Sequence, residues 1–141
     1  MAVKEIGANA IPTLLRMVQT RDASIETSFG YRQRAMAVMG FGILGKDAKK
    51  VAPSLAILAK DSDDSVRYAA LESLCSIGID KEFMTSVLLP ACHDSNGSIQ
   101  FLAAATLHFI SSEAAKKAGI ADPIETIFER TRNQVNSPAL K

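Results

Sequence analysis

Apolar residues recur every three or four positions along much of this chain, which is the spacing of one face of an α-helix. In the segment 61–78, "DSDDSVRYAALESLCSIG", the positions of this kind are Ala70, Leu71, Leu74 and Ile77. Shorter segments with an apolar stripe of the same type occupy 10–20, 51–61 and 83–94. No segment shows the convincing alternation of apolar and polar residues that is typical of a strand. The pattern therefore predicts an all-α protein.

The segment 61–78 has one counterpart 33 residues earlier, at 28–45, and another 33 residues later, at 94–111. The three align without a gap, and their expected core positions are Ala37, Ala70 and Ala103; Val38, Leu71 and Ala104; Phe41, Leu74 and Leu107; and Leu44, Ile77 and Ile110. Each of these helices follows one of the shorter helices, so the repeating unit is helix, short turn, helix. Because so small a unit cannot bury its apolar faces alone, neighbouring pairs are expected to stack.

The best-formed unit combines a Pro early in its first helix, an Asp at the turn, a Val-Arg pair at the start of the second helix and an Ile-Gly pair at its end. These and the apolar positions between them are Pro53, Asp61, Val66, Arg67, Ala70, Leu74, Ile77 and Gly78. The pattern resembles that of HEAT repeats, of the bacterial kind similar to the repeats of the phycobilisome-lyase family. The resemblance extends to Pro12 in the first repeat and to Asp94, Ile99, Ala103, Leu107 and Ile110 in the third.

The resemblance implies a right-handed α–α superhelix, or α-solenoid, of about three HEAT-like helix pairs with a C-terminal capping helix. The length and the 48% apolar content suit one domain over residues 1–141. The expected repeats are 8–47, 48–80 and 81–118, and the expected cap is 121–135, with Pro123 at its first turn and an apolar stripe along one side. In this family the Asp and Arg at the positions of Asp61 and Arg67 typically connect neighbouring repeats.

The first repeat contains about eight extra residues near 21–28, because Pro12 and Pro53 are 41 residues apart. One interpretation is a surface loop that tolerates insertions. The other is a loop that extends a binding edge, with a small basic cluster of Arg21, Arg32 and Arg34.

The third repeat departs from the pattern in two ways. Pro90 falls inside its first helix, where the ring removes a backbone hydrogen bond, so a kink or a shortened helix is expected. Gln100 stands in place of Arg67, and Asn96-Gly97 in place of Asp63-Asp64, which predicts that a side-chain ladder between repeats is interrupted here.

The pattern predicts that the array begins halfway through a unit and that Val3 and Ile6 leave an apolar edge uncovered. One hypothesis is a homodimer through this open N-terminal end, or the continuation of a longer array. The alternative is a short helical turn at 2–7 that closes the end on itself.

Charge and composition exclude several classes of function. Sixteen Lys and Arg residues against fifteen Asp and Glu leave a net charge of +1, which gives no overall field to attract nucleic acid or an anionic membrane. The most apolar stretch, 35–45, is far shorter than the ~20 residues of a membrane helix. Cys75 and Cys92 form no disulfide framework. These features predict a cytoplasmic protein without a membrane or nucleic-acid partner.

Candidate reactive side chains are few, and no nucleophile motif, phosphate-binding loop or metal signature is present. Gly40, Gly42 and Gly45 follow no strand and are spaced like glycines that allow helix packing or end a helix. Cys75 and His108 lie 33 residues apart, on equivalent places of neighbouring repeats, but a zinc site needs three or four ligands. We therefore predict no catalytic residue, no metal and no cofactor.

In an α-solenoid the second helices line the concave face, which commonly holds a partner. Once the core positions are removed, Tyr68, Glu72 and Cys75 share a stripe of 61–78, and the equivalent positions are Met39 on one side and Phe101 and His108 on the other. Aromatic residues and Met are enriched in protein interfaces. This stripe predicts a non-enzymatic scaffold that binds a protein or peptide, although Phe101 packing between repeats is the simpler alternative.

Two other functions stay open. One is a DNA-binding or repair protein of the HEAT-like glycosylase type, which the near-neutral charge and the absence of Trp disfavour. The other is a chromophore-lyase-like HEAT protein, suggested only by the similarity of the repeats.

Overall fold

The computed structural model describes residues 7–19 and 28–135, and within these ranges the chain is helical and contains no strand. Its α-helices are α1 (Ile11–Gln19), α2 (Ser28–Leu44), α3 (Ala52–Leu58), α4 (Asp64–Ile77), α5 (Lys81–Ala91), α6 (Gly97–Lys117) and α7 (Pro123–Val135). Two 3₁₀ segments, Gly7–Ala10 and Gly45–Val51, precede α1 and α3. The all-α prediction is confirmed, and the helices follow one another in the order of a solenoid-like fold.

Residue contacts divide the chain into two compact units, Met1–Val87 and Leu88–Lys141. The first unit contains α1 to α4 and the beginning of α5, and the second contains the end of α5, α6 and α7. One domain over 1–141 stays a prediction. The predicted apolar edge at Val3 and Ile6, and the insertion with Arg21, lie outside the described residues.

The first unit is built around its two second helices, α2 and α4, which pack side by side. Helix α1 packs on α2, and α3 packs on α4. The predicted core positions of α2 and α4 are all buried, and Phe41, Leu71 and Leu74 have no exposed surface. Full burial of such a side chain stabilises the fold by about 1.5–3 kcal/mol. The helical period therefore identified this core correctly.

Two glycines of α2 allow its neighbours to approach closely. A Cβ atom on Gly42 would lie 3.3 Å from Cα of Ser73 in α4, and one on Gly40 would lie 3.0 Å from Cδ2 of Leu14 in α1. The buried Ser73 donates its hydroxyl proton to the Val38 carbonyl oxygen at 2.9 Å, which ties α4 to α2. These two glycines therefore allow helix packing, as predicted.

A buried ion pair connects the turn before α4 to α2. Arg34 of α2 is 9% exposed, and its Nη2 and Nη1 atoms lie 2.6 and 3.3 Å from the two carboxylate oxygens of Asp61. Its Nε atom also donates to the Val18 carbonyl oxygen, in the last turn of α1, at 3.1 Å. Such bidentate, charge-assisted bonds are among the strong ones in proteins. The structure thus places Arg34 inside the first unit and not in an exposed cluster with Arg32, because a guanidinium with these partners is held away from solvent.

The turn before α4 is also closed by bonds within its own repeat. Asp61 Oδ1 accepts from the backbone N–H of Asp63, and Asp63 Oδ1 accepts from that of Val66 as the N-cap. Arg67 Nη1 donates to the Asp61 carbonyl oxygen at 2.9 Å. The acidic residues therefore act as helix caps here.

The turn before α6, in the second unit, has the same local bonds with different side chains. Asp94 Oδ1 accepts from the Asn96 N–H at 2.8 Å, and Asn96 Oδ1 caps the helix by accepting from Ser98 and Ile99. Gln100 Nε2 donates to the Asp94 carbonyl oxygen at 2.5 Å. Asn96 and Gln100 thus reproduce the bonds of Asp63 and Arg67 within the turn. An interruption of the ladder between repeats stays a prediction.

Pro90 lies in the last turn of α5, which ends one residue later at Ala91. The missing N–H of Pro90 therefore coincides with the end of the helix rather than with a kink in its interior.

Helix α6 is broken at Ser111, whose backbone is non-helical with φ −155° and ψ 77°. Ser111 occupies the position that Gly78, with φ +73°, holds at the end of α4. Its Oγ accepts from the Ala114 N–H, which starts a further short helical stretch. The break leaves Ile110, predicted as core, only half-buried.

Candidate functional site

The predicted binding residues of the first unit lie on the exposed sides of α2 and α4. Tyr68, Glu72 and Cys75 are exposed on α4, and Met39 is exposed on α2. Because α2 and α4 pack side by side, these residues belong to neighbouring helices of one unit. The structure therefore exposes four of the predicted site residues on neighbouring helices of the first unit.

Two further exposed apolar residues of the first unit were missed by the sequence analysis. Met36 is 70% exposed and Ile43 is half-exposed, and both lie on α2. Met36, Met39 and Ile43 follow one another at spacings of three and four, so they occupy one side of the helix. We call Met36, Met39, Ile43 and Tyr68 the methionine face.

A signal for these two residues was present in the sequence. The stretch 35–45 is apolar on more than one side, and Ala37, Phe41 and Leu44 already supply the core stripe of α2. A second apolar stripe in the same helix must then point elsewhere. The uniform hydrophobicity of the stretch concealed the two stripes.

The chemistry of the methionine face suits apolar side chains of a partner. Met has an unbranched, polarisable thioether that adapts to different shapes, and Tyr68 adds an aromatic ring with a hydroxyl group. Glu72 supplies a carboxylate on the same helix as Tyr68. These side chains can contact apolar groups and one cationic group of a partner.

The predicted site residues of the second unit have different environments. Phe101 is half-exposed on α6. His108 is largely buried: its Nε2 atom lies 2.8 Å from the Ile120 carbonyl oxygen and donates to it, and its Nδ1 atom lies 3.8 Å from Asp122 Oδ2. His108 thus holds the segment that precedes α7. A single concave face shared by Tyr68 and Phe101 stays a prediction, since the two belong to different units.

An open groove of about 520 Å³ lies beside His108 in the second unit. Residues of α6, of α7 and of the segment between them line it, among them Phe109, Lys116, Ile120, Ile124 and Glu125.

The two cysteines are not disulfide-bonded, and they differ in exposure. Cys75 is exposed, whereas Cys92 is partly buried, and this burial raises the pKa of the Cys92 thiol. A raised pKa reduces the thiolate fraction and with it the reactivity. Among the residues that the structure describes, no group of three His, Cys, Asp or Glu side chains could hold a metal ion.

A family model of the HEAT repeat matches residues 51–79, which comprise α3, α4 and the turn between them. The match confirms the resemblance at the repeat predicted for 48–80; the bacterial, lyase-type kind of repeat stays a prediction. No curated protein and no solved structure matches the chain. Over the described ranges, none of the helices has the length and apolar character needed to cross a membrane.

Proposed function

Because residues 51–79 form a HEAT repeat, we propose that this chain is a non-enzymatic scaffold that binds a protein or peptide. The observation that carries the proposal is the methionine face, whose four large apolar side chains are exposed on the neighbouring helices α2 and α4. Exposed apolar surface typically marks an interaction site. The proposed ligand is a peptide segment with apolar anchors.

The size of the face bounds the affinity. Full burial of a large apolar side chain is worth about 1.5–3 kcal/mol, and the members of the face are already partly covered, so each offers roughly half of that. Their sum is of the order of the 4 kcal/mol or more that association costs in lost translational and rotational freedom. The apolar contacts therefore only offset this cost, so we expect weak binding whose net affinity depends on the polar contacts.

Glu72 gives the proposal its specificity. Its exposed carboxylate lies one helical turn from Tyr68, at the spacing where two side chains of a helix are neighbours. A cation next to an apolar anchor would meet both groups. We expect the preferred peptides to carry Lys or Arg close to a large apolar residue.

A selection from a displayed peptide library tests the proposal. Peptides selected on the full chain are measured by fluorescence anisotropy against the wild type and a Met39→Ser, Tyr68→Ser variant. We expect at least a tenfold loss of affinity in the variant. The matched control is Ile57→Ser, which removes a 74% exposed apolar side chain from α3 and should leave binding unchanged.

Two results would count against the proposal. One is a selection that enriches no peptide above background. The other is a set of peptides whose affinity is the same for the wild type and the double variant, because such peptides would bind elsewhere.

The remaining hypotheses keep their own tests. Anisotropy with a labelled DNA duplex tests nucleic-acid binding, and a bilin absorption titration tests the chromophore-lyase alternative. A cytoplasmic location and a homodimer through the N-terminal end stay predictions; no specific feature of the described residues favours them.

A further inference from the structure

Helix α7 leaves its apolar stripe in solvent. Ile124 and Ile127 are half-exposed and Phe128 is 67% exposed, and none of the described α7 side chains is buried. Thr126 is half-buried, and a residue two positions from Ile124 points to nearly the opposite side of a helix. Apart from the half-buried Pro123 and Thr126 of the first turn, every described side chain of α7 is exposed, so the helix leaves its apolar stripe largely in solvent.

This arrangement leaves most of α7 without tertiary support. The Asp122 carboxylate accepts from the Ile124 N–H at 2.9 Å, and the Thr126 hydroxyl donates to the Asp122 carbonyl oxygen, so the first turn is well fixed. The helix has 13 residues, a length at which an isolated helix is marginal in water. Its strongly amphipathic sequence is typical of a helix whose apolar side is covered.

The uncovered surface continues onto α6. Phe109 is 91% exposed and lines the groove that Ile124 also lines. Phe109, Ile124, Ile127 and Phe128 together form what we call the α7 patch. All four lie in the second unit. An apolar patch that follows a helix in this way can bind a second helix packed alongside.

The charges beside the stripe favour one occupant. Glu125 and Arg132 are seven residues apart, which is two turns, so both lie on the same flank of the stripe. When two identical helices pack antiparallel about a twofold axis, the same flanks face each other, with the beginning of one helix opposite the end of the other. Glu125 of each copy then meets Arg132 of the other.

We infer that the α7 patch is a self-association surface, on which a second copy of this chain docks its own α7 in antiparallel orientation. Ile127 of each copy packs against Phe128 of the other, and the exposed ring of Phe109 borders the contact. The antiparallel orientation also places the positive end of each helix dipole beside the negative end of the other, which is favourable. A second copy is the proposed occupant because α7 is self-complementary. Its apolar stripe can pack on the same stripe of the other copy, and its two charges can pair with the opposite charges there.

A contact formed by one helix of each copy is small. Interfaces that bury less than about 1,200 Å² in total are typical of weak complexes. We expect a concentration-dependent dimer in the micromolar range. It differs from the homodimer predicted through the N-terminal end, because the residues that form it lie at the other end of the chain.

Sedimentation velocity on the full chain over a range of concentrations tests the inference. Glu125→Arg alone and Arg132→Glu alone should each weaken dimerisation at least tenfold, because each places like charges opposite each other. The combined variant Glu125→Arg, Arg132→Glu should restore the wild-type dimer, because it exchanges the partners. All these positions are exposed, so folding is preserved, and circular dichroism checks this.

Two controls distinguish this surface from others. Glu82→Arg reverses an exposed charge on α5 and should leave the dimer unchanged. Phe128→Ser should abolish the dimer without changing the affinity for selected peptides at the methionine face. A chain that is monomeric at all concentrations would overturn the inference, and so would a dimer that is indifferent to the charge reversals and to Phe128→Ser.

Discussion

Helices α4 and α7 begin alike and are buried very differently. Each follows an Asp whose carboxylate accepts a backbone N–H of the first turn, Asp63 for α4 and Asp122 for α7. They have 14 and 13 residues. Yet α4 buries Ala70, Leu71, Leu74 and Ile77 completely, whereas no described side chain of α7 is buried. A capped, amphipathic helix therefore forms in both places, but only α4 has neighbours that cover its stripe.

The same comparison applies to the turns that lead into the helices. The turn before α4 contains Asp61, whose carboxylate is clamped by Arg34 from the preceding repeat. The segment before α7 is held by His108 through a single backbone carbonyl oxygen and a longer approach to Asp122. The first connection is a buried ion pair, whereas the second is a single hydrogen bond with a more distant carboxylate. We expect the stability of the chain to reside mainly around α4.

The largest effect is expected from Arg34→Ala. The substitution leaves the nearly buried Asp61 carboxylate without its cation, and breaking a buried pair in this way costs about 3–5 kcal/mol. Urea denaturation followed by circular dichroism measures the loss. The control Arg32→Ala, at an exposed position of the same helix, should change the free energy of unfolding by less than about 0.5 kcal/mol. Equal losses in the two variants would contradict a special role for Arg34.

The next prediction compares the apolar stripes of α4 and α7 directly. Leu74→Ala in α4 empties a fully buried site and should cost about 2–5 kcal/mol. Phe128→Ala in α7, measured at low protein concentration, should cost less than about 0.5 kcal/mol because its side chain is already in solvent. A large loss for Phe128→Ala in the monomer would mean that α7 is supported within the chain.

The smallest effect concerns the caps. Removing an Asp N-cap costs about 1 kcal/mol of helix stability. In Asp63→Ala this loss should lower the free energy of unfolding of the whole first unit, because α4 is packed there. In Asp122→Ala it should instead reduce the helix content of α7, with little shift of the urea midpoint. Circular dichroism amplitude and midpoint, recorded together, separate the two outcomes; identical midpoint shifts would remove the distinction.

Much of the fold was predictable because it is locally encoded. The 33-residue repeat identified the second helices, and the helical period identified the buried positions of α2 and α4. The helix end at Gly78 has a positive φ, which glycine adopts readily. Ser111, one repeat later, has no such signature, so the break in α6 and the half-burial of Ile110 were not predicted.

The candidate site was predictable only in part. Tyr68, Glu72, Cys75 and Met39 are exposed as the stripe required, but Met36 and Ile43 were missed because their helix is apolar on several sides. His108 belongs to the same sequence stripe, and yet its ring bonds to the Ile120 carbonyl oxygen and holds a segment of chain. Cys75 and His108 occupy equivalent repeat positions and are both helical, but their side chains have different surroundings.

By itself the sequence determined where the helices lie and which positions could form a core, since periodicity acts over one or two helical turns. Only the tertiary structure decided which apolar stripes are covered. It buried Arg34 against Asp61, left Met36 and Ile43 exposed on α2, and left the stripe of α7 facing solvent. The physical reason is that an apolar stripe records a tendency to be buried, whereas burial needs a neighbour, and the neighbour is supplied by parts of the chain far away in sequence or by another molecule.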